Sequence, residues 1–331
     1  MRLGLQLTSF NYPKTPPAKL FERIAATART AEEAGFELFA VMDHLMQLPL
    51  QGAPNEPMLE PYTLLGAVAA STERIRLGTL VTGVTYHNPA RLAKTVTALD
   101  VVSGGRALLG IGAAWFEEEH RRYGYTFPSV QQRFEWLEEA LQICRSMFAG
   151  EPTTFRGEHY AVTDAFNEPQ PVHVPPILIG GAGERRTIPL AAKYADILNL
   201  NCGFPDIPRK LAVLREKCAA VGRDYAAINK NALAVVFLGR TTEEAMAKRD
   251  ALLARQRLGV ASGRGLPAAL TSRMIVGDAD SVGEQIQGLI ELGLDGVIVN
   301  LPGDSHEPDR LAHAGGILRA ALGGAVRAGG R

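Results

Sequence analysis

Short apolar runs and amphipathic helical stretches alternate along the whole chain, and this alternation narrows the possible folds more than any other feature. The runs are Leu3–Leu7, Leu38–Met42, Ile75–Thr82, Arg106–Ala113, Pro176–Gly181, Ile197–Asn201, Asn231–Gly239 and Gly296–Leu301. Several are apolar without strict alternation, the mark of strands buried on both faces of a parallel sheet. A helical pattern follows each one. Leu20, Ile24, Ala28 and Ala31 share one face of the first helix, which Pro16 or Pro17 opens and Gly35 closes. Helix starts are also predicted at Pro61, at Asn88-Pro89, at Glu184 and at Ile207. Capping-box patterns predict further starts at Ser129 with Gln132, Thr241 with Glu244, and Ser281 with Glu284.

Most run starts lie about 20–37 residues apart, the size of a βαβ unit. Two gaps are longer. They hold segments without helical period, Glu151–Pro175 and Gly259–Arg273, and a further excursion around Tyr123-Gly124 precedes the first of them. Eight such units predict an α/β chain folded as a (β/α)8 TIM barrel, with insertion segments after strands 4 and 7, rather than a doubly wound sheet. No break in composition divides the 331 residues. They are therefore expected to form a single domain, residues 1–331, with 323–331 as a frayed tail.

The formal net charge is +0, so no overall positive field draws the chain to nucleic acid or to an anionic membrane. No run approaches the roughly 20 apolar residues of a membrane helix. The opening Met-Arg-Leu-Gly-Leu-Gln-Leu reads as a first strand and not as a signal peptide. Cys144, Cys202 and Cys218 are odd in number and match no metal spacing, which suggests reduced thiols in a cytoplasmic setting. Cys144 falls in a helical pattern and reads as a small core residue. The expected partner is thus a small molecule.

A barrel places its site where the strands end, and the strand ends carry the candidate residues. The fourth strand ends in Gly110, Gly112, Ala113 and Ala114, followed by Trp115, Phe116 and an acidic run to Glu119. So little side chain lets a flat ligand approach the backbone, or lets a helix pack tightly on the strand. The second strand ends in Asp43-His44. A His there can give or take a proton; Asp43 either tunes it or fixes the loop. The third ends in Gly78-Thr79-Leu80-Val81-Thr82, which reads as core on pattern alone, and His87-Asn88-Pro89 reads as a turn and helix cap. After the fifth come Gly180, Gly181, Ala182, Gly183, Glu184, Arg185 and Arg186. Free amides, a helix N-terminus and guanidinium groups all suit a phosphate there. It is neither a P-loop nor a dinucleotide fingerprint. Asn199 and Asn201 either orient a polar ligand or satisfy backbone groups. The remaining histidines are scattered, so no metal site is expected.

Several of these segments together resemble the luciferase-like monooxygenase superfamily. They are Val41-Met42-Asp43-His44, Leu77-Gly78-Thr79-Leu80-Val81, Leu99 to Arg106, Gly110-Ile111-Gly112-Ala113-Ala114-Trp115, Gly180-Gly181 with Glu184-Arg185-Arg186-Thr187, and Val276-Gly277-Asp278. Within the superfamily the chain looks most like the oxidoreductases dependent on the deazaflavin coenzyme F420. The resemblance implies a barrel, often dimeric, with the cofactor ring in its mouth. It implies a non-proline cis peptide at Leu80-Val81 behind the ring, with Thr79 beside it, and Gly112–Ala114 along the ring or its ribityl chain. It further implies that Gly180–Arg185 take the cofactor phosphate, and that His44, with Asp43, acts as acid or base on the substrate oxygen. The chain departs from the family's sugar dehydrogenases in one respect. They carry a Glu where Trp115 stands, so Trp115, with Asn199, is expected to shape a substrate pocket, and sugar-phosphate oxidation is in doubt.

The leading expectation is hydride transfer between F420 and a small organic substrate. The alternative is a monooxygenase using reduced FMN from a separate reductase, and in either case the excursions are expected to supply a lid over the site. A third reading is a flavin-binding barrel without turnover, which should lack His44.

Overall fold

A computed structural model describes residues 1–49, 51–259 and 271–324. In chain order its strands are β1 (Leu3–Leu7), β2 (Leu38–Val41), β3 (Arg76–Thr79), β4 (Thr82–Gly83), β5 (Ala107–Gly112), β6 (Thr153–Arg156), β7 (Ala161–Ala165), β8 (Ile177–Gly180), β9 (Ile197–Leu200), β10 (Asn229–Leu238), β11 (Met274–Gly277) and β12 (Gly296–Asn300). The helices are α1 (Pro17–Glu33), α2 (Pro61–Ala69), α3 (Pro89–Ser103), α4 (Glu117–Tyr123), α5 (Val130–Phe148), α6 (Thr187–Tyr194), α7 (Ile207–Ala220), α8 (Thr242–Gly259), α9 (Ala279–Glu291) and α10 (Pro308–Gly324).

Eight parallel strands close into a barrel in the order β1-β2-β3-β5-β8-β9-β10-β12, and β12 returns to β1. Leu5 sits between Val299 and Phe39, and Asn231 pairs with Asn199 on one side and Gly296 on the other. The strands are apolar on both faces because each face has its own core. Phe39 and Val41 join the large cluster under the helices, whereas Leu38 and Ala40 join Leu108, Leu178 and Ile298 in a second cluster inside the barrel. Each fully buried Val, Leu, Ile or Phe among them contributes about 1.5–3 kcal/mol.

The helices start where the caps predict in two cases. Asn88 accepts from the amides of Ala90 and Arg91, and Ser129 with Gln132 forms a full capping box. Elsewhere the boundaries need correction. The helix after β8 begins at Thr187 and not at Glu184, because residues 184–186 form turns ahead of it. Asp278, not Ser281, caps α9, and its carboxylate accepts from the Ser281 amide. At the start of α8 the Thr241 hydroxyl accepts from Glu244 N at 3.3 Å, but the Glu244 carboxylate returns to Arg240 N rather than to Thr241.

The insertions after the fourth and seventh barrel strands carry structure of their own. The first contains α4, ended by Gly124 in a left-handed conformation (φ 75°), and the antiparallel hairpin β6–β7. Glu139 of α5 anchors that hairpin by accepting from the amides of Glu158, His159 and Tyr160. The second expected excursion, Gly259–Arg273, lies mostly outside the described residues, as does the expected tail beyond Gly324. It leads into a strand that the sequence reading omitted. β11 pairs with Val235–Leu238 on the edge of β10 that β9 occupies only as far as Ala232.

At the N-terminal end of the barrel Arg106 works as a staple. Its guanidinium donates to the carbonyls of Ala69, Thr72 and Ile75 and to the Thr72 hydroxyl, at 2.8–3.0 Å. Asp100 completes this end by accepting from Ala107 N and His173 N. Among the described residues no helix is long and apolar enough to cross a membrane.

Candidate active site

A cavity of about 460 Å³ opens at the C-terminal ends of the barrel strands. Its small-residue wall follows from one local departure in the third strand. β3 stops at Thr79, the Leu80-Val81 peptide is cis, and β4 resumes beside Ile111 and Gly112 of β5. The detour is seated by glycines. A Cβ on Gly110 would lie 1.9 Å from the Thr79 carbonyl oxygen, and Cβ atoms on Gly112 and Gly180 would meet the Val81 methyls at 2.9 and 2.8 Å. Behind it, buried hydroxyls hold the chain. Thr79 Oγ1 bonds Thr82 Oγ1 at 2.7 Å and donates to Gly110 O at 2.9 Å. Tyr62 bonds Thr82 at 2.7 Å, and burial pushes its phenol far up.

Below the mouth the interior is lined with amides. Gln6 Nε2 donates to Leu80 O at 2.5 Å, and Asn300 Nδ2 donates to Gln6 Oε1 at 3.0 Å. Asn199 Nδ2 donates to Asn231 Oδ1 at 2.8 Å, across the pair of strands that closes the barrel. Buried amides this fully engaged fix the floor in place.

At the end of β2 Asp43 and His44 turn to different partners. Asp43 Oδ2 accepts from Gly83 N and meets His87 Nε2, both at 3.0 Å. His44 Nδ1 lies 2.8 Å from Oε2 of Glu119, which is fully buried. The same Oε2 accepts from the Tyr86 hydroxyl at 2.5 Å, and Oε1 accepts from the amides of Leu45 and Met46 at 2.6 and 3.1 Å. Burial opposes ionisation of Glu119. The His44 ring, Tyr86 and the Leu45 amide outweigh it and hold the carboxyl below its ordinary range. Burial and the Glu119 charge push the Tyr86 phenol far up, so it keeps its proton and donates. Trp115 stacks on Phe116 at 5.2 Å, and both rings stand edge-on to His44 at about 6 Å. Ala114, just before them, takes a left-handed backbone (φ 56°), which a non-glycine residue holds only where its surroundings dictate it.

Eleven residues expected at the site line this cavity: Asp43, His44, Leu80, Val81, Gly112, Ala113, Ala114, Trp115, Gly180, Gly181 and Asn199. Thr79 sits behind the detour, buried. Ala182, Gly183, Glu184 and Arg185 do not line it. Glu184 accepts from Lys210 at 2.7 Å and from Arg209, while Arg185 and Arg186 line an adjoining outer groove with Phe134 and Lys193. Glu119, Tyr86 and the pairing of His87 with Asp43 were missed. Glu119 is the third residue of an acidic run, which reads as a solvated face. The only hint was His120 after it, also buried, where a solvated run would continue. Among the described residues no His, Cys, Asp and Glu group could hold a metal ion.

Fold and site together define a (β/α)8-barrel protein with a small-molecule cavity at the C-terminal mouth. The chain belongs to the luciferase-like monooxygenase family, whose sequence model matches residues 1–296. It is accordingly an oxidoreductase. One relative is the F420-dependent glucose-6-phosphate dehydrogenase of Nakamurella multipartita, 28% identical over 303 residues, 86% of this chain and 88% of that one. Among solved structures, an F420-dependent secondary alcohol dehydrogenase in complex with an F420-acetone adduct superposes with a TM-score of 0.78. It shares 19% identity over 95% of this chain and 98% of that one. The oxygenating constituent of the Pseudomonas putida 3,6-diketocamphane monooxygenase, in complex with FMN, superposes with a TM-score of 0.72. Its identity is 18%, over 97% of this chain and 98% of that one. At such identities the two structures bear on the fold alone.

Proposed function

We infer that the protein transfers a hydride between coenzyme F420 and a small, largely apolar organic substrate bound at the barrel mouth. Likeness to an F420-dependent dehydrogenase over 86% of the chain supports the cofactor. The observation that carries the chemistry is His44, backed by a buried carboxylate and facing a wall of backbone and small side chains. The residues present fit a flat ring, because Gly112, Ala113, Ala114, Gly180 and Gly181 give this side of the cavity little side chain, with Gly112 and Gly180 closing tightly on Val81. Gly112–Ala114 and the Leu80-Val81 detour would flank the ring. Gly180, Gly181 and Thr187, at the start of α6, would face its phosphate, and Arg185 and Arg186 lie on the outer side of that turn.

F420, when bound, supplies a ring carbon that accepts or gives a hydride. His44 takes the proton from a substrate hydroxyl, or returns it to a carbonyl oxygen. Trp115 and Phe116 shape an apolar wall beside it, which suits a secondary alcohol or ketone better than a sugar phosphate. The test is an assay of oxidised F420 with a panel of secondary alcohols, and of reduced F420 with ketones, enones and imines. Turnover in either direction supports the reading; none across both panels overturns it. Oxygen-dependent turnover with reduced FMN is the second reading, favoured by membership of the luciferase-like monooxygenase family.

A further inference from the structure

The carboxylate of Glu119 has no lone-pair position to spare. Oε1 receives the amides of Leu45 and Met46, and Oε2 receives Tyr86 and faces His44 Nδ1. Each proton in this cluster can be placed from its neighbours. His120 Nδ1 lies 2.8 Å from the Phe116 carbonyl oxygen, which only accepts, so Nδ1 carries the hydrogen. His120 Nε2 then accepts from Thr85 Oγ1 at 2.7 Å. The same Nδ1–H lies 3.2 Å from the Tyr86 oxygen, so the Tyr86 hydrogen points the other way, at Glu119. With its other acceptor positions filled, Glu119 offers His44 Nδ1 only negative charge. A bare lone pair on Nδ1 would repel it at 2.8 Å.

We propose that Glu119 is a positioning residue that fixes the neutral His44 ring as the Nδ1–H tautomer, leaving the Nε2 lone pair for the cavity. Among the described residues nothing bonds His44 Nε2, and the ring lines the cavity. In this tautomer the ring is a base on arrival. It takes the proton of a substrate hydroxyl at Nε2 as the carbinol carbon gives its hydride to bound F420, and in the reverse direction, as the carbonyl carbon receives a hydride from reduced F420, the imidazolium returns that proton to the oxygen. Glu119 neither touches substrate nor gains a proton. It holds the ring plane and, through the two amides, ties the loop after β2 to α4. The inference about catalysis rests on the functional reading above; the tautomer does not.

The deciding experiment is the nitrogen-15 spectrum of protein labelled at histidine, with the His44 signals assigned by loss in His44→Asn. Wild type is expected to show a protonated Nδ1 and a bare Nε2. In Glu119→Gln the amide oxygen keeps the Leu45 and Met46 amides. The amide NH2 then donates to Nδ1 and drives the proton to Nε2. That variant is expected to keep its affinity for F420 and its KM and to lose about 100-fold or more in kcat. Tyr86→Phe, which keeps the Glu119 charge, is expected to retain the Nδ1–H form, and it serves as the second variant should Glu119→Gln not fold. A wild-type Nε2–H ring, or an unchanged tautomer in Glu119→Gln, overturns the proposal. A wild type inert with F420 overturns the functional reading, and the tautomer then decides Glu119 by itself.

Discussion

Asp43 and His44 are adjacent in sequence, yet Asp43 spends its carboxylate on His87, 3.0 Å away, and on the Gly83 amide. His44 is thereby left to Glu119, 75 positions further along the chain. The arrangement separates two jobs. Through Gly83 and His87, Asp43 locks the segment that follows the Leu80-Val81 detour onto the end of β2. His44 stays with one ring nitrogen toward the cavity.

His44→Ala is expected to fold, to bind F420 with near wild-type affinity, and to lose about 10²–10⁴-fold in kcat, the usual worth of a positioned acid or base. Steady-state kinetics beside a cofactor titration separate the two effects. Unchanged turnover would remove His44 from the chemistry.

Glycines packed against the Thr79–Val81 detour should differ sharply in tolerance. Gly180→Ala sets a Cβ 2.8 Å from a Val81 methyl, which can shift, so a loss of about 1–3 kcal/mol and weaker cofactor binding are expected. Gly110→Ala sets its Cβ 1.9 Å from the Thr79 carbonyl oxygen, a backbone atom, and should fail to accumulate as folded protein. Thermal melts of the two variants check this; equal tolerance would contradict the packing described.

The barrel was legible because its eight strands are apolar on both faces, a pattern with few other uses in a chain punctuated by helices. β11 was not, because Met274–Gly277 is four residues long and only half-buried in alternation. The hairpin was hidden for a related reason: β7, Ala161–Ala165, is exposed or half-buried throughout and presents little beyond Val162 to the core. At the site, residues supplied by backbone shape could be read from glycines, and His44 from its place at a strand end. Glu119 could not, since its role depends on α4 folding back over the loop after β2, and charge alone gives no sign of that contact. The Glu184–Arg186 stretch misled in the opposite way. It has the residues of a helix start, but Glu184 is drawn to Arg209 and Lys210, and the helix waits until Thr187.

Arg106→Lys tests the staple at the other end of the barrel. Lysine keeps the charge but cannot reach all the oxygens that the guanidinium serves, leaving carbonyls of the α2–β3 turn unpaired. A loss of about 1–3 kcal/mol in urea unfolding is expected, with catalysis unchanged per folded molecule. A stability equal to wild type would show that water serves those carbonyls as well.

Stability should fall on the mildly acid side through His306. Burial holds this imidazole below its ordinary range, against the pull of the Ser9 carbonyl it serves at 2.9 Å and of Glu307, while Arg23 adds to the lowering. The unfolded chain takes up the proton near pH ~6.5 and the folded one only at lower pH, so stability present above that value is lost as pH drops through the window between. The contribution of Glu119 goes later, as pH falls through its own depressed value. Urea midpoints between pH 7.5 and 5 are expected to fall less in His306→Asn than in wild type. Parallel curves would remove His306 as the source.

The most direct test of the functional reading is a fluorescence titration of the purified protein with F420 and with FMN, each oxidised and reduced. Tighter binding of F420 in both states is the expected result. Preference for reduced FMN would contradict it and make the protein an oxygen-using monooxygenase, and binding of neither would contradict any redox role for the cavity.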